Sequence, residues 1–338
     1  MHRPKIAIVN SSSFGKHFPQ HLDQLNEVAD VIRVQVPTDV SADALVQELR
    51  GVHGIVASVT PRFPKRVLEQ LKDLVLLARH GIGCDNVELE AATELGIMVS
   101  KVEGIVEREA VAEHAVTLLL AVGRMAPQGF DSVRASRWED RAKYLGIELR
   151  NKKVGIIGIG NIGSRVAEIL GRGFQSDVMA TDPYVTEDEI RARGARPVSL
   201  SELLSSSDIV SFHCPVTAES KRMLNRNAFS LMKKGAILIN TCRGELLDED
   251  ALIECLESGQ LRAYGTDVVE GEPIGGDHRL LAAPHVLVLP HLGGYTTESL
   301  FGMGQTMVDD VMNVFVHKKL PGVLANPEVE AKGHRKWA

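Results

Sequence analysis

Several residue classes are scarce in this chain of 338 residues, and each scarcity excludes a class of protein. The 38 basic residues are outnumbered by 44 acidic ones, so the basic surplus of a nucleic-acid binder is missing. Only nine Phe, four Tyr and two Trp are present, which argues against an aromatic platform for single strands. No apolar run approaches the roughly 20 residues of a membrane span, and no secretory leader pattern opens the chain. We therefore expect a soluble, cytoplasmic protein that binds neither nucleic acid nor membrane.

Cysteine is also rare. The four cysteines, Cys84, Cys214, Cys242 and Cys255, form no C-x-x-C pair and no Cys/His cluster with metal-ligand spacing. We expect reduced thiols and no metal site. The hydrophobic share of 44% is ordinary and excludes a disordered chain, while the length predicts about two domains.

Short apolar runs alternate with helical patterns in two series, which predicts parallel sheets built from βαβ units. A long helical pattern over 107–125 separates the series, and a polar connecting or interface segment follows over 127–150. A helix is predicted over 298–318, and the tail after Asn326 is predicted to be loose. The first series predicts strands at 6–9, 31–36, 54–57 and 74–78 with helices at 17–29, 42–49 and 65–71. The second predicts strands at 154–157, 177–181, 208–213, 236–240, 263–268 and 286–289.

The strongest local signal is a glycine-rich turn between a predicted strand and a predicted helix. Gly158, Gly160 and Gly163 form a G-x-G-x-x-G pattern, and Asn161 and Ile162 open the helix. The first glycine allows a tight turn, the second a close approach of backbone to a pyrophosphate, and the third close packing of helix on strand. The N–H groups of the helix N-terminus would then bind the phosphates.

An acidic residue follows at the spacing that a dinucleotide site requires. Asp182 lies 19 residues after Gly163, at the end of the next predicted strand. A carboxylate there accepts hydrogen bonds from a ribose 2′-OH and repels a 2′-phosphate, so NAD is favoured over NADP. The alternative is a glycine-rich turn in an ordinary α/β protein with an incidental aspartate.

Further motifs resemble one family, in the right order and over residues 54 to 327. The chain is similar to the D-isomer-specific 2-hydroxyacid dehydrogenases, which include the phosphoglycerate dehydrogenases. The segments that carry the resemblance are Arg79–Val87, Ala110–His114, Ile239–Gly244 with Asp248, Asp267–Pro273 and Pro290–Gly294.

The resemblance implies a fold in the α/β class with two doubly wound parallel-sheet domains. A Rossmann nucleotide domain at 104–294 would be inserted into a flavodoxin-like substrate domain formed by 1–103 and 295–338. The active site would lie in a cleft. A homodimer is also implied, with the 127–150 segment as an arm.

Reduction of a 2-keto acid needs a proton donor at the carbonyl oxygen and a cation for the carboxylate. Histidine suits the first task, a neighbouring carboxylate favours its charged form, and the planar fork of arginine suits the second. By the resemblance these roles fall on His291, Glu272 and Arg243. Taken singly, each residue has an ordinary alternative as a surface or turn residue.

The resemblance also implies the binding residues. Substrate would contact Ser58, Gly81, Ile82, Gly83 and Arg243, although the Gly81–Gly83 segment also fits a simple strand-to-helix turn. Cys214 and Cys242 are not proposed as nucleophiles, because hydride transfer needs none. The implied NAD contacts are Ile82, Gly158, Gly160, Asn161, Ile162, Gly163, Asp182, His213, Cys214, Thr241, Cys242, Arg243, Asp267, His291, Gly293 and Gly294.

Two departures from the family pattern bear on the substrate. Phosphoglycerate dehydrogenases usually carry Arg-Ser in the segment matching Ala57 and Ser58, so the loss of that cation counts against a phosphorylated substrate. Tyr295 stands where a small residue is usual; it could narrow the pocket, form a hydrogen bond or pack at the hinge.

We predict an NAD-dependent D-2-hydroxyacid dehydrogenase acting on a small unphosphorylated acid. The alternatives are a D-3-phosphoglycerate dehydrogenase and an NADH-sensing, corepressor-like binding protein.

Overall fold

The computed structural model describes residues 3–337, which fall into two compact units. The first unit comprises the chain up to Glu107 together with the chain from Tyr295 onward, and the second runs Arg108–Gly294. None of the helices within residues 3–337 has both the length and the apolar character that a bilayer crossing requires.

The first unit is built on a five-stranded parallel sheet of order β2-β1-β3-β4-β5. Its alternating apolar residues supply two cores, with Ile6 and Ile8 on one face and Ala7 and Val9 on the other. The order reverses between β1 and β3, which is the flavodoxin-like arrangement that the resemblance implies. The strands are β1 (Lys5–Val9), β2 (Asp30–Val34), β3 (Gly54–Ala57), β4 (Leu76–Arg79) and β5 (Met98–Lys101).

Helices cover both faces of this sheet. Neither β5 nor the helix before it, Leu89–Glu94, was predicted, because each is too short to show periodicity and β5 becomes a strand by pairing with β4. The long helix near the C-terminus ends in a π-helical turn, Met312–Val316. The helices are Pro19–Val28, Ala42–Glu48, Lys65–Leu68, Leu89–Glu94, Thr297–Val311 and Glu328–Lys332.

The second unit is built on a seven-stranded parallel sheet of order β12-β11-β10-β9-β6-β7-β8. The order reverses at the β6–β9 pair, as in dinucleotide-binding sheets, and the predicted fold class is confirmed. The two-residue strand β8 was not predicted. The strands are β6 (Lys153–Ile157), β7 (Asp177–Thr181), β8 (Arg196–Pro197), β9 (Ile209–Phe212), β10 (Ala236–Asn240), β11 (Leu261–Thr266) and β12 (Val286–Val288).

Capped helices connect these strands. Thr186 and Glu189 form a capping box, and Asp248 accepts a hydrogen bond from Ala251 N, so this motif aspartate is a helix cap. The predicted connecting segment 127–150 is partly helical; its helix buries only Ser132, which explains its weak apolar periodicity. The α-helices are Arg108–Gly123, Ala126–Arg134, Asn161–Glu168, Glu187–Ala192, Leu200–Ser206, Arg226–Leu231, Glu249–Glu257 and Arg279–Ala282. Trp138–Lys143 and Gly244–Leu246 are 3₁₀-helical, and Ile169–Gly173 is a π-helical turn.

The prediction of a loose tail after Asn326 is wrong. The tail forms a short helix that buries Val329, and Arg335 then donates hydrogen bonds to backbone carbonyls of the first unit. Its Nε reaches Leu95 O at 2.9 Å and one terminal nitrogen reaches Leu71 O and Leu74 O, both at 2.8 Å. A guanidinium thus satisfies carbonyls from two separate turns, a long-range role that no local pattern reveals.

Replacement of Arg335 should destabilise the first unit. Because the charged donor serves several backbone carbonyls at once, we expect Arg335→Ala to lower the free energy of unfolding by about 2 kcal/mol. Urea unfolding would measure this difference. The neighbouring exposed Lys336→Ala is the control and should change stability by less than about 0.5 kcal/mol. Equal effects of the two substitutions would contradict the role of Arg335.

Candidate active site

The glycine turn connects β6 to the helix Asn161–Glu168. Gly158 has a φ of +87°, and a Cβ on it would lie 2.7 Å from the carbonyl oxygen of His213. A Cβ on Gly163 would lie 2.0 Å from the carbonyl oxygen of Gly158, whereas a Cβ on Gly160 would meet no atom within 4 Å. The first and third glycines are therefore required by contacts within the protein, and the second presents open backbone, as a close approach to a pyrophosphate requires.

Asp182 is held beside this turn by backbone hydrogen bonds. One carboxylate oxygen accepts from Ile159 N at 3.0 Å and the other from Tyr184 N at 2.9 Å. Arg193, which the sequence reading missed, donates to Ile159 O at 2.6 Å from the neighbouring helix end. The arrangement places the Asp182 side chain at the tip of β7, next to the first turn of the helix Asn161–Glu168.

Unpartnered polar atoms line the carboxyl edge of the same sheet. Within residues 3–337, the buried atoms His213 Nδ1, Thr241 Oγ1 and Asp267 Oδ1 have no hydrogen-bond partner. They follow the adjacent strands β9, β10 and β11 in that order. Buried polar atoms normally have partners, so this row fits a polar ligand laid along the strand ends, and the glycine turn lies at its β6 end.

Glu272 and His291 form a short hydrogen-bonded pair. Glu272 Oε1 lies 2.5 Å from His291 Nδ1, and its second oxygen accepts from Val269 N at 3.2 Å. Burial opposes the charged imidazole, but the hydrogen bond and charge of Glu272 outweigh it and raise the pKa of His291. Burial likewise opposes the carboxylate, and the bond to His291 overcomes this to lower the pKa of Glu272. Both shifts favour the imidazolium–carboxylate form of the pair.

Arg243 follows β10 and brings a second positive charge toward this pair. One guanidinium nitrogen donates to Cys242 O at 2.6 Å, and the charge acts on both Glu272 and His291. The next residue, Gly244, allows the loop after β10 to touch the loop after β11, because a Cβ there would lie 2.0 Å from Glu270 N. The glycine thus lets the loop that carries Arg243 pack against the loop that carries Glu272.

Asp267 lies beneath His291 and is only 2% exposed. Its Oδ2 accepts from Gly293 N at 2.7 Å, its carbonyl oxygen accepts from His291 N at 2.9 Å, and burial raises its pKa. His114 approaches the same carboxylate, with Nε2 at 3.5 Å from Oδ2. His114 lies in one of the motifs, but no local signal gives it a role, because only the fold brings its helix to the end of β11.

The two cysteines at this edge are poorly suited to nucleophilic chemistry. Burial raises the pKa of Cys214 to about 11 and also raises that of Cys242, whose thiol donates to Phe212 O at 3.0 Å. Burial lowers the pKa of the adjacent His213 to about 3, so its ring is neutral. These residues can therefore offer backbone and neutral side-chain contacts.

The predicted substrate residues Ser58, Gly81, Ile82 and Gly83 lie in the first unit. Gly81 has a φ of +146°, and the guanidinium of buried Arg79 lies directly beneath it, 3.0 Å from the position of a Cβ. Asn86 Nδ2 donates to Ser58 O at 3.1 Å and so ties the loops after β3 and β4 together. A glycine loop over a buried cation suits an anionic ligand.

Tyr295 opens the second segment of the first unit. Its hydroxyl is 2.5 Å from the hydroxyl of Ser12, which follows β1, and the ring remains 46% exposed. Of the three roles left open for this residue, a hydrogen bond is the one observed.

The fold and this edge define an α/β protein with a dinucleotide-binding sheet. Residues 116–293 match the description "D-isomer specific 2-hydroxyacid dehydrogenase, NAD binding domain". The chain belongs to the D-isomer specific 2-hydroxyacid dehydrogenase family, and the resemblance inferred from its motifs is confirmed, as is NAD as the cofactor of the family's binding domain.

The chain is similar to family members that are named after different substrates. D-3-phosphoglycerate dehydrogenase of Archaeoglobus fulgidus is 34% identical over 299 residues, covering 88% of this chain and 56% of that protein. Glyoxylate reductase of Aeropyrum pernix is 33% identical over 335 residues, covering 97% and 98%. D-Lactate dehydrogenase of Aquifex aeolicus, solved with NAD and lactic acid, is 27% identical with a TM-score of 0.82, covering 95% and 99%. The chain spans between 48% and 59% of the length of the phosphoglycerate dehydrogenases that it matches first.

The glycine turn yields a paired prediction. Gly160→Ala should leave the unfolding transition unchanged, because the added methyl meets no protein atom, but should weaken NADH binding about tenfold if the methyl faces the pyrophosphate as the motif predicts. Gly163→Ala should lower the free energy of unfolding by roughly 2 kcal/mol, because its Cβ meets the Gly158 carbonyl. Fluorescence titration and urea unfolding measure the two effects. Full NADH affinity in a folded Gly160→Ala variant would refute the assigned approach.

Proposed function

We propose that this protein is an NAD-dependent oxidoreductase that transfers a hydride between the nicotinamide and C2 of a small D-2-hydroxy acid or 2-keto acid. The observation that carries the proposal is the Glu272–His291 pair at 2.5 Å, with the charge of Arg243 acting on both groups. A half-buried acid with a raised pKa near a second cation suits reduction of a carbonyl next to a carboxylate.

The proposed roles follow from which atoms are already engaged. His291 Nδ1 is bonded to Glu272, so Nε2 is the ring nitrogen that gives its proton to the carbonyl oxygen in reduction and takes it back in oxidation. Glu272 stabilises the imidazolium, and Arg243 binds the substrate carboxylate and polarises the carbonyl. Bound NADH supplies the hydride. The products are the hydroxy acid, NAD⁺ and a neutral His291.

The cofactor would lie along the carboxyl edge of the second sheet, so we assign this unit as the nucleotide domain. Gly158, Gly160 and Gly163 with the helix N-terminus would bind the pyrophosphate, and Asp182 the ribose hydroxyls. His213, Cys214, Thr241 and Cys242 would line the nicotinamide side. Asp267 Oδ1 would accept from the carboxamide, with Gly293 and Gly294 in the adjoining loop. The carboxylate of Asp182 supports NAD over NADP.

The first unit is proposed as the substrate domain. The backbone of Gly81, Ile82 and Gly83, placed over the Arg79 guanidinium, would contribute to binding the carboxylate, and Ser58 would add a polar contact. At the position where a phosphate-binding arginine would stand, Ala57 is fully buried within the sheet. This supports a small unphosphorylated acid, such as glyoxylate, hydroxypyruvate or pyruvate, over a phosphorylated one.

We also propose a cytoplasmic homodimer. Four large apolar side chains of the 127–150 segment are exposed: Phe130 by 62%, Val133 by 51%, Trp138 by 70% and Leu145 by 78%. A second copy packed on this segment would remove these apolar side chains from water, as a symmetric interface does. Sedimentation should therefore give twice the chain mass of 36.8 kDa, and a monomer at micromolar concentration would contradict the dimer.

A keto-acid panel tests the function. NADH oxidation should proceed with at least one of glyoxylate, hydroxypyruvate and pyruvate, and more slowly with 3-phosphohydroxypyruvate. Arg243→Ala should lower kcat/KM on the order of 100-fold or more, because it removes the cation at the carbonyl. A preference for the phosphorylated acid would favour a phosphoglycerate dehydrogenase. Tight NADH binding with no turnover on the panel would favour a binding protein.

The pH profile tests the acid. Reduction needs protonated His291, so kcat/KM should be high at low pH and fall as pH rises through a pKa above the ordinary imidazole value of about 6.5. Glu272→Gln removes the largest influences that raise the pKa of His291 and leaves only the charge of Asp267 to oppose burial, so the inflection should move to lower pH. The control Glu270→Gln, whose ion-pair partner is Arg222, should leave it in place. An inflection that does not move in Glu272→Gln would remove the proposed coupling.

A further inference from the structure

The Asp267 carboxylate accepts too few hydrogen bonds from the protein to fix the direction of Oδ1, which the proposed contact with the carboxamide requires. To accept from a carboxamide, its Oδ1 must keep one direction, yet the only hydrogen bond to the carboxylate within residues 3–337 is from Gly293 N to Oδ2. A single hydrogen bond to one oxygen fixes the rotation about the Cβ–Cγ bond only weakly, because this torsion has broad minima. A second contact is needed to direct Oδ1.

His114 supplies a contact to that same oxygen. Its Nε2 lies 3.5 Å from Oδ2, its side chain is only 13% exposed, and Nε2 is another buried atom without a hydrogen-bond partner in the described chain. Because His114 and Gly293 both approach Oδ2, Oδ1 is the oxygen left for a ligand donor. Two buried polar atoms without a hydrogen-bond partner in the described chain, His114 Nε2 and Asp267 Oδ1, therefore lie at the same carboxylate.

The helix that carries His114 is also packed against the Gly293 loop. A Cβ on Gly293 would lie 3.5 Å from a methyl of Val111, one turn before His114, and 3.1 Å from Asp267 Oδ2. The helix, the loop and the carboxylate thus form one packed group. The backbone of the same loop fixes His291, whose N–H donates to Asp267 O.

We propose that His114 is a positioning residue that turns the Asp267 carboxylate so that Oδ1 meets the amide group of the nicotinamide. This inference rests on the proposed cofactor contact of Asp267. It assigns His114 no contact with the substrate and no part in proton transfer. Its effect is on which nicotinamide ring the site accepts and how firmly that ring is held.

Binding measured without substrate tests this role separately from catalysis. NADH is compared with the reduced 3-acetylpyridine analogue, which has a methyl in place of the amide NH₂, and with ADP-ribose, which has no nicotinamide. The wild type should prefer NADH over the analogue about tenfold, the value of one hydrogen bond to a charged group. His114→Leu should reduce this preference to about threefold or less with ADP-ribose affinity unchanged. His114→Gln, which keeps an N–H at a similar distance, should restore most of it.

One control variant and three possible outcomes decide the test. Glu113→Gln, on the exposed side of the same helix, should leave all three dissociation constants unchanged. An unaltered preference in His114→Leu would overturn the inference, as would an equal loss of ADP-ribose affinity, which would mark His114 as merely structural. No preference in the wild type would refute the Asp267 contact and this inference with it, while turnover on the keto-acid panel would still support the proposed dehydrogenase.

Discussion

The hydrogen bond between Glu272 and His291 sets the charge on which the proposed chemistry depends. Both partners are held by backbone: Glu272 by Val269 N, and His291 by its own N–H on Asp267 O, with a φ of +51° that few non-glycine residues adopt. Burial alone would leave the imidazole neutral, and the carboxylate reverses that outcome. The strained backbone at His291 is maintained because the loop is fixed at Asp267 and Gly293.

The second constraint is close packing of one backbone segment against another. Glycine, which has no Cβ, allows it at the turn after β6 and in the loop after β10. At the turn after β6, the absence of a Cβ on Gly158 and Gly163 allows close backbone packing between this turn, the first turn of the next helix and the loop after β9. After β10, Gly244 lets the Arg243 loop touch the loop that carries Glu272. At Gly158, Gly163 and Gly244 a methyl group would meet backbone atoms and not only the end of a flexible side chain.

In the proposed function the two units would bind an anion by different means. The second unit would use a helix N-terminus behind an open glycine and a guanidinium that donates to Cys242 O. The first would use a glycine loop whose backbone passes over the buried Arg79. Burial lowers the pKa of the adjacent His80 to about 3, with the charge of Arg79 acting in the same direction, so the guanidinium is the cation of that loop.

Most of the correct predictions came from local sequence patterns, in which the residues that interact are close in the chain. The alternation of apolar runs predicted two parallel sheets, and the glycine spacing with Asp182 predicted a dinucleotide turn, because strand, turn and helix propensities are local. The order of motifs indicated the family. Tertiary structure alone decided the positions of β5 and β8, the anchoring of the tail by Arg335, and the contacts of Arg193, Asn86 and His114. Those features depend on hydrogen bonds and packing between segments tens to hundreds of residues apart, and their partners become neighbours only when the sheets assemble.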